Sequence, residues 1–380
     1  MTEVPGSVKN ADAQGGLPGR PRKRLELGVF LPVARNGFVF SANSTAYEPT
    51  YRENLAITRL AEEIGLDYVF SMAKWRGFGG SVEMWDASLE SFSLMAALAA
   101  ATRRIRLIAT VNPLLLHPAA AAKMTATVDD VSDGRIGLNI ITGGFIEEYA
   151  QMGIVPLDYN RRRYEYAEEW VTVLKRIWTE DSVDFDGEFF HLTDCVSRPK
   201  PVQRPYPSLV CAGTSDEGLR FTVRHADYSF VTGGNVADTK QLALRVKEIA
   251  SQEGQLVKTA VGLNVVSGPT KAAAESYAAY LGNGADLEAL VNMGGLQRGQ
   301  GRETARQRAE ARMKEQRFYF GVPLIGGPGE VSEAIADLAG EGQVDSVLLM
   351  FPDFIEGLHR FRADVMPLLA EHLQIGQPGA

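Results

Sequence analysis

Leu25-Glu26-Leu27-Gly28-Val29-Phe30-Leu31-Pro32-Val33 reads as a short apolar strand that runs straight into a proline. An open nucleotide-binding sheet carries a glycine fingerprint at this point, after its first strand, and this chain has none. Neither GxGxxG nor GxxxxGK[ST] occurs anywhere along it. Working outward, seven further apolar runs read as strands: Tyr68 to Ser71, Arg106 to Thr110, Ile136 to Ile141, Ser208 to Cys211, Tyr228 to Val231, Val261 to Val266 and Val344 to Met350. Helical patterns separate them, at Thr50 to Ile64, Ser88 to Thr102, Ala119 to Val131, Arg161 to Trp178, Asp216 to His225, Asp238 to Gln252, Thr270 to Leu281 and Glu330 to Leu338. Eight strands alternating with helices predict an α/β fold, a closed (β/α)8 TIM barrel, with the open doubly wound sheet as the alternative. The fourth and seventh units are much longer than the rest, so insertions are expected after those strands, roofing the face where such barrels build their sites. Residues 282–320, glycine-rich and then highly charged, are read as a mobile lid or as a surface loop. Asp353 to Leu373 reads as a C-terminal helix.

The 380 residues are 45% hydrophobic and 23% charged, ample for a core in one large domain, placed at residues 25–375. The net charge of −8 repels nucleic acid and anionic lipid, so neither is an expected partner. No apolar run approaches the roughly 20 residues that span a bilayer. Residues 1–24 are basic and rich in Gly and Pro without an apolar signal core, and are expected to be a disordered tail. Cys195 and Cys211 make neither a disulfide framework nor a CxxC pair, which points to a reducing, cytoplasmic setting.

Three stretches are candidates for chemistry. Ser132-Asp133-Gly134-Arg135 is a turn that delivers the chain into a strand ending Asn139-Ile140-Ile141-Thr142-Gly143-Gly144. Asn139 inside a buried strand needs partners, either a ligand or neighbouring backbone. Arg161-Arg162-Arg163-Tyr164 opens a long helix and is either a phosphate grip or a solvated face. Cys211-Ala212-Gly213-Thr214-Ser215-Asp216 ends a strand in small residues, where Ser215 caps the next helix and is compatible with phosphate there. Together they suggest a small phosphorylated cofactor held without a diphosphate loop. The five histidines lack zinc spacing, no GxSxG elbow occurs, and no metal site is expected. His117 reads as structural or as a site wall, and adjacent pairs such as Glu147-Glu148 face different ways on a helix.

Gly28 to Pro32, Ser71-Met72-Ala73-Lys74-Trp75-Arg76-Gly77-Phe78-Gly79-Gly80, Leu89 to Phe92, Gln151 to Ile154, Asp194-Cys195 and Cys211 to Gly213 resemble the bacterial luciferase-like flavin monooxygenases. Within them the likeness is to the FMN-dependent branch that opens the uracil ring, and it runs from about Leu25 to Phe354. The resemblance implies the barrel, reduced FMN as cofactor, O2 as co-substrate, an NAD(P)H-dependent flavin reductase as supplier, and a homodimer or tetramer. Carried over by position, it implies FMN contacts at Ala73, Lys74, Asn139, Glu148, Arg163, Tyr164 and Ser215. Asn139 and Thr110 would flank the oxygen-reacting edge, and Lys74 is the cationic candidate for catalysis. Phe70, Gly144 and Phe145 are expected to line the pocket of a heteroaromatic substrate. Where that branch resembles Thr-Gly-Trp, this chain has Thr142-Gly143-Gly144, which predicts a larger pocket unless Phe145 refills it. A bulkier heteroaromatic, including a riboflavin-like one, is therefore the alternative to uracil. A deazaflavin-dependent oxidoreductase and a non-catalytic flavin-binding protein are the remaining alternatives.

Overall fold

A computed structural model describes residues 22–298 and 301–376. Its strands are β1 (Glu26–Phe30), β2 (Tyr68–Phe70), β3 (Arg106–Val111), β4 (Ile136–Ile140), β5 (Val183–Asp186), β6 (His191–Cys195), β7 (Leu209–Ala212), β8 (Tyr228–Val231), β9 (Lys258–Ser267), β10 (Val322–Gly326) and β11 (Ser346–Met350). Eight of them, in the order β1-β2-β3-β4-β7-β8-β9-β11, pair in parallel and close on themselves through β11 and β1. This is the expected barrel. The period-two pattern explains its filling, since alternate residues of each strand point inward. At the bottom, Glu26 is buried and accepts from Arg106, Lys258 and Tyr228. One layer up, Phe70, Ile108, Val210, Phe230 and Leu348 fill the middle around a cavity of about 20 Å3.

The helices are α1 (Tyr51–Glu63), α2 (Ser91–Ala101), α3 (Pro118–Val131), α4 (Glu147–Ala150), α5 (Tyr159–Thr179), α6 (Asp216–His225), α7 (Val236–Gln252), α8 (Lys271–Asn283), α9 (Leu287–Arg298), α10 (Arg302–Lys314), α11 (Pro328–Gly340), α12 (Phe354–Arg360) and α13 (Met366–His372). A π turn, Phe361–Val365, joins the last two, so the expected C-terminal helix is one helical run. No helix among the described residues is long and apolar enough to cross a membrane. The Ser132-Asp133-Gly134 turn forms as read, with Asp133 at φ 53° and Gly134 at φ 77°. Arg135 then reaches back to the carbonyls of Ala99, Thr102 and Ile105. That satisfies acceptors left open at the end of α2.

Three elements depart from the expectation. The insertion after β4 contains an antiparallel hairpin, β5 with β6. An additional strand, β10, pairs with Leu263–Ser267 of β9 beyond Val261, where the pairing with β8 stops. The glycine-rich stretch 282–301, expected as loop or lid, is largely helical: Gly294 and Gly295 lie on α9, against Ala305 of α10. Most of the expected tail, residues 1–21, lies outside the described residues. Of its last three, Lys23 donates to the carbonyls of Ala339 (2.8 Å) and Val344 (2.9 Å), and Arg24 pairs with Asp67 at 2.5 Å.

Candidate active site

The carboxyl ends of β2, β3, β4 and β7 lie side by side on one rim, and most of the expected site residues come together there. After β2 the chain loops out through Ser71–Gly80 and returns through Trp85. Gly77 is obligatory on this path, because a Cβ there would meet Asp86 at 2.3 Å. The loop drives Lys74 inward until it is only 6% exposed. Its Nζ contacts the Glu148 carboxylate, itself 3% exposed at the start of α4. Three rings enclose the ammonium: Phe145 at 4.1 Å, Phe78 at 4.4 Å and Trp85 at 5.7 Å from their centroids. Burial pushes the Lys74 ammonium down to about 7, while the touching carboxylate works to keep it protonated. The other Glu148 oxygen accepts from the Trp75 amide at 3.2 Å, and Ala73 precedes Lys74 in the same loop.

On the neighbouring strands Thr110 and Asn139 stand in register. Asn139 Nδ2 donates to Thr110 Oγ1 (3.0 Å), which donates to the Ser71 carbonyl (2.5 Å). Ser91 Oγ accepts from the Thr110 amide and bonds Ser71 Oγ, so the whole row is fixed. Asn139 Oδ1 is buried without a partner among the described residues. The Asn139 donor is thus satisfied by a neighbouring side chain where backbone was one expectation, and its acceptor is left without a partner among the described residues.

The arginine triplet divides. Arg161 pairs with Asp158, and Arg162 with Glu165 and Glu188, as a solvated face does. Arg163 has no ion pair among the described residues, and its guanidinium lies 5.0 Å over the Tyr164 ring. Tyr164 is buried, and its hydroxyl reaches the turn after β7. A Cβ at Gly218 would meet it at 2.4 Å, so that position must be glycine for the hydroxyl to fit, while at Gly213 a Cβ would stand in ordinary contact at 3.5 Å. Ser215 caps α6 by accepting from the Gly218 amide at 3.2 Å. A free guanidinium, a phenol and a helix N-terminus meet here, which is the donor set for a phosphate monoester. The buried polar atoms near β2 to β4 suit a ring with its own donors and acceptors. The rim between the two ends crosses three strand spacings, roughly 15 Å.

The pocket candidates separate. Gly144 is exposed, and a Cβ placed on it would meet nothing within 4 Å, so there is open space at this position. Phe145 turns onto Phe78, 5.2 Å between centroids, and towards Lys74. Phe70 lies below the mouth, packed on Phe30 (5.0 Å) and Phe230 (5.9 Å), so it is floor. His117 caps α3 by accepting from the Ala119 amide at 3.2 Å, a structural role. Sequence reading missed Trp85, Phe38 and Phe320 as walls. Trp85 Nε1 donates to the Gly37 carbonyl at 2.6 Å, and its ring lies 5.2 Å from Phe320 and 6.1 Å from Phe38. The α9 insertion fastens this wall: Asn292 donates to the Phe78 carbonyl (2.8 Å), and Asp286 accepts from the Val82 amide and Ser81. No cluster of three or more metal-ligating side chains occurs among the described residues.

The profile of the luciferase-like monooxygenases matches residues 25–345. A pyrimidine monooxygenase RutA from Acinetobacter baylyi is 37% identical over 358 residues, covering 92% of this chain and 96% of that protein. Another from Yersinia enterocolitica is 39% identical, covering 92% and 97%. Among solved structures, a riboflavin lyase with modified FMN and riboflavin superposes with a TM-score of 0.82 at 22% identity, covering 94% of each chain. A long-chain alkane monooxygenase superposes with 0.81 at 17%, covering 92% of each.

Proposed function

Because the chain belongs to the luciferase-like monooxygenase family, we propose that it is an FMN-dependent monooxygenase acting on a nitrogen-containing heteroaromatic ring, with ring opening or cleavage as the outcome. The observation that carries this is the divided rim: an unpaired Arg163 with Tyr164 and Ser215 at one end, and the buried Lys74–Glu148 pair with the free Asn139 acceptor at the other. Relatives of 37–39% identity named for pyrimidine oxygenation support the substrate class.

Reduced FMN, when bound, supplies the electrons for activating O2, and the protein's share is binding, orientation and proton handling. Arg163, Tyr164, Ser215 and the α6 N-terminus hold the phosphate. Ala73, Lys74, Asn139 and Glu148 orient the ring. Thr110 and Asn139, fixed by the Ser71–Ser91 row, form the polar edge where oxygen is handled, and Lys74 with Glu148 holds a proton for the developing anion. Helix α9, backed by α10, borders the mouth on the Phe78 side. A separate NAD(P)H-dependent flavin reductase is the proposed electron source, since the sequence carries no nicotinamide fingerprint. The open space at Gly144 favours a ring larger than a single pyrimidine.

The test supplies the enzyme with reduced FMN, heavy-isotope O2 and uracil, and weighs the products. Labelled, ring-opened product establishes pyrimidine oxygenation. FMN binding with no labelled uracil product keeps the flavin enzyme and moves the substrate to larger heterocycles; failure to bind FMN sinks the reading.

A further inference from the structure

We propose that Thr232 is the hydrogen-bonding contact for the substrate, on the wall facing Lys74 and Glu148. This rests on the heterocycle reading above and adds to it the chemistry of the ring: a heterocycle with a lactam or imide edge.

The argument begins with the strand order. On a ring of eight strands, β8 stands four places from β2, so the residues leaving β8 face Lys74 across the mouth. Along β8, Tyr228 and Phe230 point inward: the first bonds Glu26, and the second lies on Phe70 at 5.9 Å. Strand periodicity puts Thr232 in the next inward layer, above Phe230 and at the functional face. Its Oγ1 is buried and has no hydrogen-bond partner among the described residues. A valine has the same shape without the orphan hydroxyl, so this position carries a desolvated polar atom that the fold itself does not use.

The surroundings leave that atom a distinct task. Below it, Phe30 lies 6.2 Å from Phe230, and Phe38 and Phe320 lie 4.6 and 6.1 Å from Phe30, ring faces without side-chain polar atoms. Gly262 of the adjacent strand has no side chain to offer. Asn264, fully buried beyond it, turns its Nδ2 to the Phe38 carbonyl at 3.3 Å, and its Oδ1 is a second buried atom without a partner among the described residues, an acceptor only where Thr232 can also donate. The turn after Thr232 is fixed: the Gly233 amide donates to Thr239 Oγ1 at 3.0 Å, a Cβ at Gly233 would meet the Thr239 amide at 2.5 Å, and the Arg317 guanidinium and Asp238 carboxylate lie against Gly234. A hydroxyl both donates and accepts, so it serves either the carbonyl or the ring N–H of such an edge.

Thr232→Val and Thr232→Ser test this in the FMN-loaded protein. The probes are uracil and its benzo-fused analogue quinazoline-2,4-dione, which share the imide edge and differ in size. Thr232→Val is expected to weaken binding of whichever probe the wild type takes by roughly tenfold, the loss of one buried hydrogen bond, with Thr232→Ser restoring it. FMN affinity and the melting temperature of the cofactor-free protein should not fall in the valine variant, because no internal bond is lost. Unchanged probe affinity in Thr232→Val overturns the assignment alone, and a lowered melting temperature overturns it in favour of a structural hydroxyl. If the wild type binds FMN but neither probe, and neither stimulates oxygen uptake, the heterocycle reading fails and the assignment falls with it.

Discussion

Replacing Lys74 by methionine keeps an unbranched chain in the cage of Phe78, Trp85 and Phe145 but strips the Glu148 carboxylate of its cation. Both side chains are 3% exposed, so solvent cannot take over the lost interaction. Breaking one side of such a buried pair costs about 3–5 kcal/mol. For a domain of this size that is a fall in melting temperature of roughly 4–7 °C. Glu148→Gln strands the ammonium instead and is expected to cost a similar amount. The double variant Lys74→Met/Glu148→Gln has no stranded charge, and its loss should be about 1–2 kcal/mol, well short of the sum. Urea unfolding of the four cofactor-free proteins at pH 6, below the lowered Lys74 value so that the ammonium is charged, gives the coupling directly. Additivity within about 0.5 kcal/mol refutes the claim that these two groups form one ionic unit.

Arg163→Ala should weaken FMN binding by roughly ten- to a hundredfold, the worth of a charge-assisted hydrogen bond, while leaving riboflavin, which lacks the phosphate, unaffected; equal losses for both in fluorescence titrations contradict the phosphate assignment. Gly144→Trp fills open space, so the fold should tolerate it, whereas the specificity constant for a bicyclic substrate should fall at least tenfold; unchanged kinetics on that substrate removes the open-space argument. At the barrel floor, burial alone raises the Glu26 carboxyl, but Arg106 and Lys258 prevail and hold it near 2. Its stabilisation is therefore complete above about pH 4.5 and is lost as pH falls through about 2, so wild type should exceed Glu26→Gln by about 3 kcal/mol at neutral pH and converge with it in acid; a pH-independent difference in urea titrations contradicts this.

The barrel was legible because each of its strands is a short apolar run bounded by turn residues, and all eight appear within a few residues of their predicted places. β10 was hidden by Pro323 within it and Gly321 before it, residues that ordinarily argue against a strand; the pairing with β9 overrides them. Gly294-Gly295 read as loop by propensity, yet tertiary contact with Ala305 makes them a close-packing face. The hairpin of β5 and β6 is signalled only by Asp186-Gly187, a turn dipeptide between two short and largely polar runs. In the site, Tyr164 and Ser215 were marked by helix-end chemistry, a local signal. The meeting of Lys74 with Glu148, and the wall made by Phe38, Trp85 and Phe320, join segments tens to hundreds of residues apart. No window along the chain contains both partners.

The long detour between β9 and β11 has a topological consequence. Ala285, where it sets out, bridges to Ser41, and Tyr319, where it returns, bridges to Val39. Departure and return are thus two residues apart on one short segment, and the path has almost no net displacement. Such an excursion can be lengthened, shortened or exchanged without shifting any barrel strand, while Asp286 and Asn292 keep it in touch with the wall that encloses Lys74. On the function proposed above, the molecule thereby separates the cofactor rim, built on the barrel strands, from the cover over it, whose length the barrel does not constrain.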